Sequence, residues 1–297
     1  MESENKTAVA LRPLVVPPSE IVKLAKVIDQ STISHLFIPD INFDSLDISA
    51  ACLGVSKGLK VGSGVFRPLE QDVRQLTRRL ETLQALSENR YLLGIGTGDP
   101  GPNPRQKVQD LLTRLQDLRK GFSQGSTTFP ESYVAALRSG IAKKSAGISD
   151  GILLNFCPPE HARAVVEAVR MSYSGKVETA CYLKTFFSSS LESAKKLAIE
   201  EFVKYNSLGH YHKMFEQSGL DDDIRVAARS LQGKDLQYSE KLAKTSPVNP
   251  DTDKLRQYVS EFREAGISLP CIYPYFVPNE NYEFKLRTIQ SIVSATA

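Results

Sequence analysis

Tyr91-Leu92-Leu93-Gly94-Ile95-Gly96-Thr97-Gly98-Asp99-Pro100 runs an apolar strand straight into glycines, a hydroxyl and a carboxylate. Glycine has no Cβ to hold a ligand away and tolerates positive φ, so Gly96 and Gly98 can line a tight turn whose amides face a cofactor. The spacing matches neither the dinucleotide fingerprint nor the Walker loop, which needs Gly-Lys-Ser/Thr. Taken alone, the same residues also describe a strand that ends in a glycine turn. The neighbouring segments separate the two readings.

Outward from this strand, apolar strand-like runs alternate with helix-like segments along most of the chain. The strand candidates are Ala8 to Val16, His35 to Pro39, Leu59 to Val65, Tyr91 to Ile95, Tyr133 to Leu137, Gly151 to Phe156, Val177 to Phe187 and Leu269 to Phe276. Between them, apolar stripes recur at the helical period: Val73, Leu76, Leu80 and Leu83; Val108, Leu111, Leu112, Leu115 and Leu118; Ala162, Val165, Val166 and Val169. That order implies parallel strands covered by helices. Eight such units predict an α/β chain folded as a closed (β/α)8 TIM barrel, one domain over residues 1–297. An open doubly wound sheet is the alternative. The surplus length, roughly Ser190 to Ser268, predicts extra helices between strands seven and eight. Within it, Asp221, Asp222 and Asp223 read as the first turn of a helix, where carboxylates complement the dipole, and not as a metal site. Gln232 to Pro250 is polar and reads as either a mobile lid or a connection.

The 297 residues, 41% apolar and 24% charged, can bury a full core. A net charge of +3 without a Lys/Arg block falls short of the basic footprint of a nucleic-acid binder. Cys52, Cys157, Cys181 and Cys271 are far apart, with no CxxC pair, so neither zinc nor a disulfide framework is indicated and reduced core thiols are expected. The polar, acidic start MESENKTAV and the absence of a membrane-spanning apolar run predict a soluble cytoplasmic protein.

In a barrel the strand C-termini converge on one mouth. Reading the last residues of each predicted strand collects Arg12, Asp40, Gly64 with Arg67, the Gly96 to Asp99 turn, Arg138 with Ser139, Asn155, Lys184 with Thr185, and Tyr273 with Tyr275. Each has a local explanation as a cap or turn residue, yet their recurrence at one end of successive strands predicts a ligand site.

These residues also carry a resemblance. Phe37-Ile-Pro-Asp40, Lys60-Val-Gly-Ser-Gly-Val-Phe-Arg-Pro68, Arg90-Tyr-Leu-Leu-Gly-Ile-Gly-Thr-Gly-Asp99 and Ser149-Asp-Gly-Ile-Leu-Leu-Asn155, in that order, resemble the bacterial luciferase-like family of flavin- and deazaflavin-dependent oxidoreductases. Tyr133-Val-Ala-Ala-Leu-Arg138 is similar to that family's fifth strand and Ala265-Gly-Ile-Ser-Leu-Pro270 to the approach to its eighth. The nearest flavour is the branch that uses coenzyme F420, which includes methylenetetrahydromethanopterin reductases.

The resemblance implies a flavin or deazaflavin ring at the barrel mouth. It implies that Gly64 and Val65 form a bulge backing the ring, often through a cis peptide, and that Asp40 stands near the ring's polar edge. Thr97, Gly98 and Asp99 match the family's cofactor turn, with Asp99 the first choice for a proton-transfer group and Asp40 the second. Arg138, Ser139 and Gly140 match its phosphate contact, where guanidinium, hydroxyl and free amides favour an anion. Arg12, Arg67, Asn155 and Lys184 are the candidates for substrate contact. Two departures stand out: Ile41 occupies a position where several deazaflavin sugar-phosphate dehydrogenases have a catalytic histidine, and the chain has no tryptophan. None of His35, His161, His210 and His212 is a strong base candidate.

The leading expectation is an F420-dependent oxidoreductase acting on a small organic substrate. A monooxygenase using FMN and dioxygen is its enzymatic rival, and a non-catalytic flavin-binding barrel is the alternative from another class. A lyase or aldolase with Lys184 as Schiff-base lysine is a further one. The resemblance also implies a homodimer.

Overall fold

The computed structural model describes residues 6–98, 101–122, 127–233 and 235–296. Eight parallel strands close into a barrel in sequence order: β1 (Ala8–Ala10), β2 (His35–Ile38), β3 (Lys60–Phe66), β4 (Tyr91–Ile95), β5 (Glu131–Ala135), β6 (Gly151–Asn155), β7 (Glu178–Phe187) and β8 (Leu269–Phe276). The last closes onto the first through Ala8 opposite Cys271 and Val9 opposite Ile272. The expected (β/α)8 architecture is the observed one.

Side chains alternate across each strand. One set, including Val9, Leu36, Ile38 and Val61, packs outward against the helices, and the other fills the barrel. Ala8 and Ala10 leave the interior room for Phe37, whose ring meets Tyr133 and Tyr182 edge-on at 5.7 and 6.0 Å between centroids. The outer ring includes α1 (Pro18–Asp29), α2 (Ser45–Val55), α3 (Val73–Ser87), α4 (Pro104–Gly121), α5 (Ser139–Ser145) and α6 (Pro159–Ser172). The predicted stripes of α4 and α6 are their buried faces, as are Leu76, Leu80 and Leu83 of α3.

Two predicted strands are displaced. The first stops at Ala10, because the carbonyl of Arg12 accepts from the amides of Val15 and Val16 at 3.2 and 3.0 Å and turns the chain at Pro13. The fifth begins at Glu131, ahead of the expected Tyr133.

Between β7 and β8 lie α7 (Leu191–Asn206), α8 (Gly209–Gln217), α9 (Asp221–Ser230), α10 (Glu240–Thr245) and α11 (Thr252–Glu264), and α12 (Tyr282–Thr296) follows β8. Asp221, Asp222 and Asp223 fill the first turn of α9, with Arg225 paired to Asp221 and Asp222 and Lys241 to Asp223. Of the segment Gln232 to Pro250, the part after α10 is tied to β7. Phe186 donates to the Pro247 carbonyl at 3.0 Å, Asn249 donates back to the Phe186 carbonyl at 2.8 Å, and Ser246 Oγ donates to the Lys184 carbonyl at 2.9 Å.

The barrel floor, at the strand N-termini, is held by charge. Lys6 pairs with Glu178, Lys60 with Glu131, and the Tyr133 hydroxyl donates to Glu178. His35 is buried there; burial, then Lys60 and Lys6, push its imidazole down to about 3. It is a neutral structural residue bonded through Nδ1 to Ser34 Oγ at 2.7 Å. The four cysteines are buried, and burial pushes the Cys52 thiol up to about 12. Among the described residues no helix is long and apolar enough to cross a membrane.

Candidate active site

A cavity of about 520 Å3 opens at the strand C-termini, within the size range of small-molecule sites. Two walls face each other across it.

The first comes from the loops after β2, β3 and β4 and carries Asp40, Ile41, Asn42, Gly64, Val65, Arg67 and Gly98. The pairing of β3 with β4 slips between Ser63 and Phe66, which makes the bulge expected there, and the Gly64–Val65 peptide is cis. A Cβ on Gly64 would overlap the Tyr182 hydroxyl, and that hydroxyl donates to the Gly64 carbonyl at 2.9 Å. Gly98 takes φ +66°, which a side chain would strain, and a Cβ there would meet Arg67 Cδ at 2.9 Å. Arg67 reaches Asp40 at 3.8 Å and Glu70 at 3.5 Å. Asp40 also accepts from the amide of Ser45 at 3.2 Å, while Asp44 supplies the N-cap of α2. Asp40 therefore steadies the loop while its carboxylate lines the cavity.

The second wall comes from β6 to β8 and from α7 and α8, and is built of Asn155, Tyr182, Tyr205, Tyr211 and Tyr273, with Ala135 and Leu153 between the walls. Asn155 Nδ2 donates to the Tyr211 hydroxyl at 2.7 Å, while its Oδ1 is buried without a partner. A buried acceptor left unsatisfied is costly, so this oxygen is one a ligand's donor would complete.

Beneath the tyrosines lies a charged cluster. Lys184 is fully buried, 3.0 Å from Glu201, with its ammonium 3.6 Å from the Tyr205 ring centre, 4.4 Å from that of Phe156 and 4.5 Å from that of Tyr275. Arg12 lies 3.8 Å from Glu201 and stacks on Tyr275 at 5.2 Å. Burial raises the Glu201 carboxyl, but Lys184, Lys204 and Arg12 outweigh it and the group is held below the usual carboxylate range. Burial likewise raises the hydroxyls of Tyr182, Tyr211 and Tyr273. Tyr205 goes the other way: burial opposes ionisation, and the neighbouring Lys184 ammonium, with help from Asn155 and against Glu201, brings its hydroxyl below the ordinary range.

Of the residues expected from sequence, Asp40, Gly64, Val65, Arg67, Gly98 and Asn155 line this cavity. Thr97 is the neighbour of Gly98 but is not in the wall. Arg138, Ser139 and Gly140 sit at the start of α5, beyond the lining residue Ala135. Asp99 lies outside the described residues. Lys184 and Arg12 are corrections: they stand behind the tyrosine wall, tied to Glu201, and Lys184 has no surface to offer a substrate or a Schiff base. Sequence reading missed Tyr182, Tyr205 and Tyr211. One signal was available, since Glu201 and Tyr205 are four residues apart and share one helix face.

Residues 3–119 match the family model described as luciferase-like monooxygenase, the family the sequence resembles. The fold is shared with a coenzyme F420-dependent tetrahydromethanopterin reductase from Methanopyrus kandleri, 15% identical over 98% of this chain and 99% of that one, TM-score 0.74. It is shared with an F420-dependent secondary alcohol dehydrogenase in complex with an F420–acetone adduct, 13% identical over 98% and 99%, TM-score 0.72. It is shared too with the oxygenating constituent of 3,6-diketocamphane monooxygenase from Pseudomonas putida in complex with FMN, 14% identical over 98% and 96%, TM-score 0.65.

Proposed function

We propose that this luciferase-like barrel is an oxidoreductase that moves a hydride between an F420-type deazaflavin and a small organic substrate. The observation that carries the reading is the cavity, which combines apolar Val65, Ala135 and Leu153 with polar Asp40, Asn42, Arg67 and Asn155. A deazaflavin ring is flat, apolar on both faces and polar along its edges. Val65, Ala135 and Leu153 offer contact to a face, Asp40, Asn42 and Arg67 to a polar edge, and the unpartnered Asn155 Oδ1 accepts from a donor. Thr97 and Gly98 would border the ring, and Arg138, Ser139 and Gly140 would hold a phosphorylated tail. The bound coenzyme supplies the hydride chemistry. The protein presents one face of it, keeps bulk water out and moves a proton.

A second reading, an FMN-dependent monooxygenase, is favoured by the FMN-bound neighbour with the same fold. Titration with oxidised F420 and with FMN, followed by absorbance and thermal stability, tests both. At a hundredfold excess over its Kd the preferred coenzyme adds about 2.7 kcal/mol. Tighter FMN binding promotes the monooxygenase, and binding of neither overturns the proposal. The reading includes a homodimer, which would cover the exposed Leu86 of α3, and the mass of the protein in solution tests it.

A further inference from the structure

Of the two carboxylates that the sequence offered for the proton that must accompany hydride transfer, Asp99 lies outside the described residues and Asp40 is engaged by the Ser45 amide and Arg67. The histidines do not serve: His35 is in the floor, His161 Nε2 is bonded to the Leu137 carbonyl, and neither His210 nor His212 lines the cavity. The side chain needed has to reach the cavity, carry a dissociable proton and have its conjugate base stabilised.

We propose that Tyr205 is the proton-exchanging residue of this cavity, supported from behind by Lys184. The proposal rests on the oxidoreductase reading above. Tyr205 lines the cavity and is only half-buried, so it can meet a ligand. The buried Lys184 ammonium lies against its ring, and Lys184 and Arg12 together exceed the single charge of Glu201. This surplus of buried positive charge, unusual behind an apolar wall, stabilises a phenolate. Lys204, on the exposed side of Glu201, adds to it. The other titratable groups nearby are phenols: Tyr211 on α8, whose ring meets that of Tyr205 edge-on at 4.6 Å between centroids, and Tyr273 and Tyr275 on β8. Burial holds all three protonated, so Tyr205 alone of the four is tuned toward ionisation.

With a carbonyl compound as probe, the bound coenzyme would supply the hydride to the carbonyl carbon and be oxidised in turn, the C=O π pair would move to oxygen, and Tyr205 would give that oxygen its proton, leaving an alcohol and a tyrosinate beside Lys184. Oxidation of the alcohol runs the same steps backwards. Reduction therefore needs the phenol and falls as pH rises through its lowered pKa, whereas oxidation needs the phenolate and rises over the same range.

Two measurements test this. Ultraviolet difference titration of the cofactor-free protein reads tyrosinate directly. The wild type should show one tyrosine ionising before the rest, absent in Tyr205→Phe and shifted to higher pH in Lys184→Met. If Lys184→Met does not fold, Lys184→Met with Glu201→Leu removes both charges and serves the same comparison. Stopped-flow oxidation of reduced F420 with acetone, cyclohexanone and benzaldehyde as probes should be about 10² to 10³ slower in Tyr205→Phe, with F420 affinity within twofold of wild type. A titration of Tyr205→Phe that superimposes on wild type overturns the proposal, as does an unchanged hydride-transfer rate. Failure to bind F420 sinks the oxidoreductase reading, and this role with it, and is distinguishable because the titration uses no coenzyme.

Discussion

The two walls of the cavity differ in kind. The wall after β2, β3 and β4 is backbone-rich, with glycines where close approach or positive φ demands them, and its ion pair between Arg67 and Asp40 is loose. The wall from β6 to β8 with α7 and α8 is a sheet of phenols backed by a buried ion pair. The first lies wholly inside the stretch that matches the family model and the second wholly outside it. Under the proposed function, the difference teaches that one wall would meet the ring through backbone shape, which motifs record, whereas the chemistry offered to a substrate would come from side chains that the later helices bring in.

The largest effect that would break this contrast is expected at Lys184. Lys184→Met leaves Glu201 with only the longer contacts to Arg12 and Lys204 and should cost about 3 kcal/mol in urea denaturation. Adding Glu201→Leu to the same chain should restore most of it, because no buried charge is then left alone. A cost no larger than that of a surface lysine would mean that the tyrosine wall does not depend on the charge behind it.

A smaller effect belongs to the opposite wall. Gly64→Ala drives a methyl into the Tyr182 hydroxyl and should cost about 2 kcal/mol, with F420 affinity lowered as the bulge shifts. Retained stability with lost affinity would sharpen the comparison by separating shape from packing. The mildest change removes the bond that ties the walls together. Tyr182→Phe deletes the donor to the Gly64 carbonyl and should cost about 1 kcal/mol by thermal denaturation. An effect near zero would show that packing alone registers one wall against the other.

Much of the fold was legible residue by residue. Tyr91–Ile95 and Leu269–Phe276 are bounded as the sequence pattern predicts, because each is an apolar run closed by turn formers. The ends of β1 and β5 were not, since Arg12 and Pro13 turn the chain while still flanked by apolar residues, and β5 starts on the charged Glu131. In the site, the glycine wall was legible only through the ordered set of segments that carries the family resemblance, since a glycine at a strand end is also ordinary turn punctuation. Lys184 was misread as a mouth residue because alternation along β7 does not reveal that α7 covers that side of the strand.

By itself, the sequence determined the count and order of the strands and the buried stripes of the helices, which depend on local period, while the bulge at Gly64 came from the family resemblance. Only the tertiary structure decided that Tyr205 and Tyr211, from helices inserted between β7 and β8, face a wall built more than a hundred residues earlier. That meeting depends on how closed strands and crossing helices pack in three dimensions, which no local pattern encodes.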